Sequence, residues 1–500
     1  MKLPLTYHNR LSYVGTLVAA LTLTLMFIIY IVASLFNGAG HYTGLLLYVA
    51  LPIVLFIGLM LIPLGMFIKF RKNKRVNLVD ADKQKVIFDF NNTNHRNAAL
   101  VFVFGTFIFI VLTSVGSYEA FHYTESNEFC GTLCHKIMTP EYTTYQTSSH
   151  AKVKCVACHV GEGADFYAKS KITGLYQVYA AIRNIYPRPI PTPISSLRPA
   201  HETCEQCHWP QKFYTNQVIT NTHYLTDSLN TEWTTSCQMK IGPAETASGS
   251  TKGIHWHINK DVKIEYIESD SSREFIPWVK YTDKKTGKIT IFQNTEEPLA
   301  ASFIKKASAR TMDCMDCHNR PSHQFLAPQN FIDKAISKGD ISKNTPQIKS
   351  VSMQILKETY PSYAKANANI KKIILDFYKT NYPSYYKSNL KVINKNIAGI
   401  SKAYAENVFP EMGANWDKYP KHDGHLENNG CFRCHDDKHK AKNGKVISKA
   451  CDLCHSIVKQ GDAKNMMRAQ TDGDLEFKHP IDIGDAWKES NCSDCHRYLY

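Results

Sequence analysis

Six short segments of this 500-residue chain follow one strict pattern, Cys-x-x-Cys-His. They lie at Cys155–His159, Cys204–His208, Cys314–His318, Cys431–His435, Cys451–His455 and Cys492–His496. Two thiols on one helical turn can bond to the two vinyl groups of a haem, and the adjacent imidazole then reaches its iron. Zinc sites and disulfides also pair cysteines, but neither requires a histidine at the next position every time. The pattern therefore predicts covalently attached haem c.

A seventh segment, "SNEFCGTLCHKIM", departs from the pattern by one residue. Cys130 and Cys134 are separated by three residues, and His135 directly follows the second cysteine. Positions i and i+4 share a helix face, so two thioether bonds remain feasible. A disulfide beside a histidine that binds no metal is the alternative. We expect a seventh haem here, close to the last apolar segment.

The seven segments are called sites 1 to 7, in chain order. The cysteines predicted to form thioethers are Cys130, Cys134, Cys155, Cys158, Cys204, Cys207, Cys314, Cys317, Cys431, Cys434, Cys451, Cys454, Cys492 and Cys495. The predicted proximal iron ligands are His135, His159, His208, His318, His435, His455 and His496. Cys237 is left without a role.

Enough histidines remain outside the motifs to give every haem a second imidazole. The candidate distal ligands are Met138, His150, His255, His257, His323, His425, His439 and His479. His255 and His257 would point the same way on a β-strand. Iron with two imidazole ligands lacks an open position and carries electrons instead of activating small molecules. The sequence does not say which candidate faces which haem, and any one of them can be structural.

Three apolar segments at about 11–36, 45–68 and 98–117 are each long enough to cross the ~30 Å hydrocarbon layer as a helix. The first is too long for a signal-peptide core, so we interpret it as an uncleaved anchor. The basic stretch "KFRKNKR" follows the second segment, whereas the first connection, "NGAGHYTG", has no charged residue. The positive-inside rule then predicts a cytoplasmic N-terminus and a periplasmic haem domain in a bacterial inner membrane.

The fold class expected is a mainly α, membrane-anchored multihaem cytochrome c. Three N-terminal transmembrane helices precede a haem-packed periplasmic domain with little regular structure and a small β insertion. Alternation in "VKIEYIES" and "FIPWVKYTDKKTGKITIFQ" predicts the strands of that insertion, and helical periodicity is interrupted at Pro361 and Pro383. The predicted domains are 1–120 (anchor), 121–210 (sites 1–3), 211–330 (β insertion and site 4), 331–420 (helical) and 421–500 (sites 5–7).

The formal charge of +15 does not indicate a nucleic-acid partner. Seven haems would add about 14 negative charges through their propionates and return the assembly to near neutrality. The basic residues are better explained as compensation for bound cofactors.

With site 1 in place, the segment "CHKIMTPEYTTYQTSSHAKVKCVACHVGEGADFY" resembles the NapC/NirT family of membrane-anchored, quinol-oxidising cytochromes. Three spans and seven haem sites are more similar to a longer group of inner-membrane cytochromes from metal-respiring bacteria. The segments "LRPAHETCEQCHWPQKF" and "GIHWHI" extend the likeness to that group.

The resemblance implies a quinol site beside the first haem, at the membrane surface. It implies Met138 as an axial ligand, displaced by one residue from the family position, and Lys169 or Lys171 near the quinol. The stretch "KITGLYQVYAAIR" lacks the acidic residue expected as proton acceptor, so Glu141, Glu162 or Asp165 would have to serve.

The function predicted is menaquinol-type quinol oxidation, with electrons passed from the membrane quinol pool through seven haems. Periplasmic c-type cytochromes or a membrane complex would accept them, in anaerobic or extracellular respiration. One alternative is a non-catalytic electron-transfer subunit of a larger respiratory complex. Another is a terminal reductase, which would need a haem with an open coordination position.

Overall fold

The computed structural model describes residues 6–35, 46–76, 90–91, 93–133, 135–161, 163–192, 198–242, 252–471 and 473–497. The chain divides into two compact units, Met1–His135 and Lys136–Tyr500. This division tests none of the finer domain boundaries, which stay predictions.

The first unit contains three helices that are long and apolar enough to cross a membrane. They are α1 (Arg10–Leu35), α2 (Leu51–Val76) and α3 (Thr93–Thr124), and a π-helical turn at Leu46–Ala50 precedes α2. A short helix, α4 (Asn127–Thr132), follows, and the Ser126 side chain caps it by accepting a hydrogen bond from Phe129 N. The three predicted membrane helices are confirmed.

Small residues let α1 and α2 approach closely. A Cβ atom on Gly15 would lie 2.7 Å from the carbonyl oxygen of Gly58, and one on Gly58 would lie 2.9 Å from Ala19 N. The Ser12 hydroxyl donates to the Ile62 carbonyl at 2.9 Å. Close backbone contact and an interhelical hydrogen bond are the means by which apolar helices associate in lipid, where the hydrophobic effect does not drive them together.

Helices of very different lengths follow along the rest of the chain. The helices are α5 (His135–Gln146), α6 (Cys155–His159), α7 (Ala164–Arg183), α8 (Ala200–Thr203), α9 (Ala301–Lys306), α10 (Pro328–Ser337), α11 (Ile348–Leu356), α12 (Tyr363–Asn381), α13 (Pro383–Asn407), α14 (Ala486–Glu489) and α15 (Cys492–His496).

Two antiparallel sheets stand where a small β insertion is predicted. The strands are β1 (Asn216–Tyr224), β2 (Glu232–Lys240), β3 (Val262–Ile267), β4 (Trp278–Asp283), β5 (Ile289–Asn294), β6 (Arg310–Thr311), β7 (His439–Ala441), β8 (His455–Gly461) and β9 (Met467–Arg468). Their orders are β1-β2-β8-β9 and β6-β3-β4-β5-β7. The strands predicted in "VKIEYIES" and "FIPWVKYTDKKTGKITIFQ" are confirmed as β3–β5. Each sheet also contains strands from the C-terminal part of the chain, β8 and β9 in one and β7 in the other. The β structure therefore joins the insertion to the region of sites 5 and 6.

The four helices α10–α13 enclose an apolar core of their own. Ile332, Ile348, Ile370 and Ile393 are fully buried in it. Pro383 begins α13, as the interrupted periodicity predicts. Because of this regular four-helix region and the two sheets, the expectation of little regular structure fits only in part.

Candidate haem-binding sites

Sites 2 to 7 each place their two cysteines on a single turn of helix. The turns are α6, α15 and the 3-10 turns Cys204–Gln206, Cys314–Asp316, Gly430–Arg433 and Cys451–Leu453. At sites 3, 4 and 5 the backbone N–H of the motif histidine donates to the carbonyl of the first cysteine, at 2.8, 2.8 and 3.0 Å. This local turn sets the histidine beside both thiols, as attachment of one haem requires.

Each motif histidine of sites 2 to 7 faces a second histidine. The separations of the ring centres are 6.2 Å for His159 and His323, 6.0 Å for His208 and His150, 6.4 Å for His318 and His255, 5.9 Å for His435 and His257, 6.3 Å for His455 and His425, and 6.1 Å for His496 and His479.

These separations fit one iron between each pair of rings. Two metal–nitrogen bonds of about 2 Å, with about 1.1 Å from each nitrogen to its ring centre, place the ring centres about 6.2 Å apart. All six pairs lie close to that value, although they come from unrelated positions in the chain. The described residues at sites 2 to 7 therefore fit a haem iron with two imidazole ligands.

Hydrogen bonds also orient the facing histidines. In five of them Nδ1 lies against a backbone carbonyl oxygen: Glu141 for His323 at 2.9 Å, Ile254 for His257 at 2.9 Å, Ile481 for His479 at 2.7 Å, Ile241 for His255 at 3.1 Å and Pro321 for His150 at 3.2 Å. A proton held on Nδ1 leaves the Nε2 lone pair free for a metal, which is the usual arrangement of histidine ligands.

His439 does not share this arrangement. Its Nδ1 lies 2.8 Å from an Asp436 carboxylate oxygen and its Nε2 lies 2.7 Å from the Ile276 carbonyl. Both nitrogens are engaged within the protein, and the side chain is buried. This geometry does not favour His439 as a distal ligand, because its ring instead links β7 to the loop before β4.

The prediction that His255 and His257 share one face of a strand is also wrong. They lie in a 3-10 turn, Ile254–Ile258. This turn directs the two rings to different sites, His255 to site 4 and His257 to site 5. A spacing of two residues favours neither a shared strand face nor a turn with diverging rings, so the tertiary contacts decide which site each ring faces.

Site 1 is described only in part. Cys130 is half-buried in α4, which ends before Cys134. Cys134 and the side chain of His135 lie outside the described residues, as does Glu162, and the side chain of Asp165 is not described either.

The remaining predicted residues lie on α5 and α7. Met138 is half-buried on α5, Lys169 is exposed on α7, and Lys171 is half-buried there. Glu141 lies at site 2, because its carbonyl oxygen accepts from the His323 ring. Its carboxylate accepts from Arg320 at 3.3 Å. Burial raises the pKa of Glu141, against the opposing effect of Arg320.

Arg320 is a residue of site 2 that the motif search misses. Its guanidinium is buried against Glu141 and stacks over the Tyr419 ring, with 4.2 Å from Cζ to the ring centre. Its position two residues after His318 gives no signal in sequence, because its role depends on α5 packing against this loop.

Sites 2 to 7 are neighbours in the same order as in the chain. Burial is the main reason that the pKa values of their thiols are raised, and a thiol of the adjacent site adds to the effect. This holds for Cys158 with Cys204, Cys314 with Cys204, Cys317 with Cys431, Cys454 with Cys431, and Cys492 with Cys451. Thiols that influence one another electrostatically are close together, so the six sites form a continuous series.

No disulfide joins the fourteen cysteines that the structure describes. In the same part of the chain, no three His, Cys, Asp or Glu side chains are grouped closely enough to hold a metal ion. For the described cysteine pairs of sites 2 to 7, this geometry supports neither the disulfide nor the zinc alternative.

Comparison with known proteins agrees with this geometry. Residues 92–188 match the family model described as the NapC/NirT cytochrome c family, N-terminal region. The chain is 42% identical over 489 residues to the cytochrome c-type protein ImcH of Geobacter sulfurreducens, which covers 98% of this chain and 95% of the relative. No solved structure matches the chain.

Proposed function

Because the chain belongs to the NapC/NirT cytochrome c family, as a relative of ImcH, we propose that it oxidises a menaquinol-type quinol and delivers the electrons to periplasmic acceptors. The family itself makes the chain a membrane-anchored c-type cytochrome with covalently bound haem and a role in electron transfer. The quinol, the count of seven haems, the periplasmic orientation and anaerobic or extracellular respiration as the setting are parts of the proposal.

The continuous series of paired histidines is the observation that carries the proposal. Covalently bound haem supplies reversible one-electron chemistry. Two imidazoles at each of sites 2 to 7 would occupy both axial positions of the iron, which favours conduction over reaction with a small molecule. For sites 2 to 7 in turn, we therefore assign the distal ligands as His323, His150, His255, His257, His425 and His479.

The order of the sites supports a direction for electron flow. Site 1 directly follows the last membrane helix in sequence, and sites 2 to 7 are neighbours in chain order. Electrons from the membrane would enter at site 1 and leave at site 7, where a periplasmic cytochrome or a membrane complex would accept them.

The surface of α7 supports contact with a lipid-soluble substrate. Its residues Ile172, Leu175, Tyr176, Tyr179 and Ile182 recur at the spacing of one helix face and are all exposed. Lys169 and Lys171 precede this apolar face, and no acidic residue occurs between 169 and 183. Such a face, with basic and tyrosine side chains, suits the boundary between lipid and water, where quinol head groups lie.

Reduction of the purified protein by quinol tests the proposal. The oxidised, fully haem-loaded protein would be mixed in detergent with a menaquinol analogue, and haem reduction followed by absorbance. We expect rapid reduction that slows at least tenfold in Lys171→Ala or Met138→Ala. The control is Lys387→Ala, on the exposed side of α13, which should react like the native protein.

Two results would contradict the proposal. If dithionite reduces the haems and quinol does not, the chain is a non-catalytic relay subunit that needs a partner. If quinol reduces all three variants equally, the assignment of Lys171 and Met138 is wrong.

A further inference from the structure

At site 4 and at site 5, the residue before the second cysteine is charged and buried, and the two residues carry opposite charges. Asp316 belongs to the Cys-Met-Asp-Cys-His segment of site 4, and Arg433 to the Cys-Phe-Arg-Cys-His segment of site 5. They are 1% and 8% exposed. In the six regular motifs, Arg433 is the only basic residue between two cysteines.

The charge of Asp316 is compensated by its neighbours. Its Oδ1 accepts from Arg310 Nε at 2.7 Å and from Arg273 Nη1 at 3.2 Å. The same oxygen accepts from the Tyr266 hydroxyl, and Oδ2 accepts from the backbone N–H of Asp313 at 2.7 Å. The Asp316 carboxylate therefore has two guanidinium partners within the protein.

Among the residues that the structure describes, no carboxylate group contacts the Arg433 guanidinium. Its guanidinium donates to the carbonyl oxygens of Gly430, Arg273 and Asp316 at 2.8, 2.9 and 2.6 Å. Its remaining contact is with Nδ1 of His422 at 3.2 Å. Burial, and then the Arg433 charge, lowers the pKa of His422 to about 4, so this imidazole is neutral at pH 7. Within the described part of the chain, each hydrogen bond of this buried cation therefore goes to an uncharged group.

Arg433 lies beside the haem-attachment atoms of both sites. It directly precedes Cys434 of site 5 in the chain, and its Nη2 donates to the carbonyl oxygen of Asp316, the residue before Cys317 of site 4. The Arg433 contact with the Asp316 carbonyl directly joins the two inter-cysteine loops.

We propose that Arg433 raises the reduction potentials of the haems at sites 4 and 5. Reduction adds one negative charge, and a fixed cation in a poorly screened interior favours the state with the added electron. The haems of sites 4 and 5 would then retain electrons in the middle of the series. The negative charge of Asp316 would partly offset the effect of Arg433 at site 4. The proposal rests on haem attachment at these two sites and does not require quinol oxidation.

A structural role for Arg433 predicts different results. A guanidinium that only ties two loops together would, when replaced, loosen haem binding without a directed change in potential. A redox role predicts that the sign of the charge, and not the presence of the hydrogen bonds, decides the direction of the change.

Potentiometric titration of the full, haem-loaded protein separates these roles. In Arg433→Met, about two sevenths of the haem absorbance should titrate at lower potential than in the native protein, and the rest should be unchanged. Arg433→Lys keeps the charge and should shift less. Asp316→Asn removes a negative charge and should shift the site 4 component to higher potential. Haem content is measured in parallel by the pyridine haemochrome assay.

Several outcomes would overturn the proposal. They are an unchanged titration of Arg433→Met with seven haems present, a shift in Arg433→Lys as large as that in Arg433→Met, and a shift of Asp316→Asn to lower potential. If Arg433→Met lacks haem, Arg433→Gln removes the charge but keeps two donors and is titrated instead. Loss of haem from both would mean that Arg433 serves assembly and not potential.

Discussion

His255 and His257 are separated by a single residue, yet they face the motif histidines of two different sites. The His255 ring lies 6.4 Å from His318 of site 4, and the His257 ring lies 5.9 Å from His435 of site 5. Between them, Trp256 stacks on Tyr281 of β4 at 5.5 Å. One turn, packed on the larger sheet, therefore positions the facing histidines of two adjacent sites.

Replacement of a facing histidine should change one haem and leave the others as they are. In His257→Ala we expect one seventh of the haem to become high-spin and to bind carbon monoxide, because its iron loses an axial ligand. The measurement is the absorbance of the reduced protein with and without the gas. His439→Ala is the matched control, and should bind no carbon monoxide but lower the free energy of unfolding by about 1–3 kcal/mol through its lost hydrogen bonds.

The angles between paired rings predict the electron paramagnetic resonance spectrum of the oxidised protein. The ring planes are nearly parallel at sites 4 and 6, at 21° and 19°, and nearly perpendicular at sites 3 and 5, at 71° and 82°. Since ligand orientation sets the splitting of the iron orbitals, we expect ordinary rhombic signals from sites 4 and 6. We expect signals with a large maximum g value from sites 3 and 5. His150→Ala should remove one of the latter, and its persistence at full intensity would contradict the pairing at site 3.

The exposed apolar face of α7 predicts a specific loss of quinol oxidation. Leu175 is 72% exposed, so Leu175→Glu should leave folding and haem content intact. A charge on this face should raise the KM for a menaquinol analogue several-fold, because it disfavours contact with the lipid boundary. Gln177→Glu adds the same charge to an exposed position on the opposite side of the helix. Equal effects of the two changes would argue for general charge repulsion instead of a binding face.

The contact between α1 and α2 predicts which glycines of the membrane unit tolerate a methyl group. Gly58→Ala should destabilise the unit by about 1–3 kcal/mol, because the added Cβ atom would lie 2.9 Å from Ala19 N. Gly116→Ala, on α3, is the control, since in the described part of the chain no atom outside the adjacent backbone of α3 lies within 4 Å of its added Cβ. Thermal aggregation of the detergent-solubilised proteins measures the difference. Equal midpoints for the two variants would show that α1 and α2 do not approach so closely.

Features whose causes are local can be predicted from the amino-acid sequence. Covalent haem attachment requires two cysteines and a histidine on one turn, so the spacing of these residues alone predicts six sites. The membrane helices follow from the lengths of three apolar runs, and Pro383 marks the start of α13 because proline is well tolerated in a first helical turn.

Contacts between distant segments, in contrast, set which histidine faces which site. His323 follows site 4 in the chain but faces His159 of site 2, and His439 follows site 5 but binds Asp436 and Ile276 instead. The buried cation at Arg433 is likewise invisible in its own motif, because its partners come from a distant loop and from site 4. These pairings depend on contacts between remote segments, and an imidazole or a guanidinium carries no local signal of what it will meet when the chain folds.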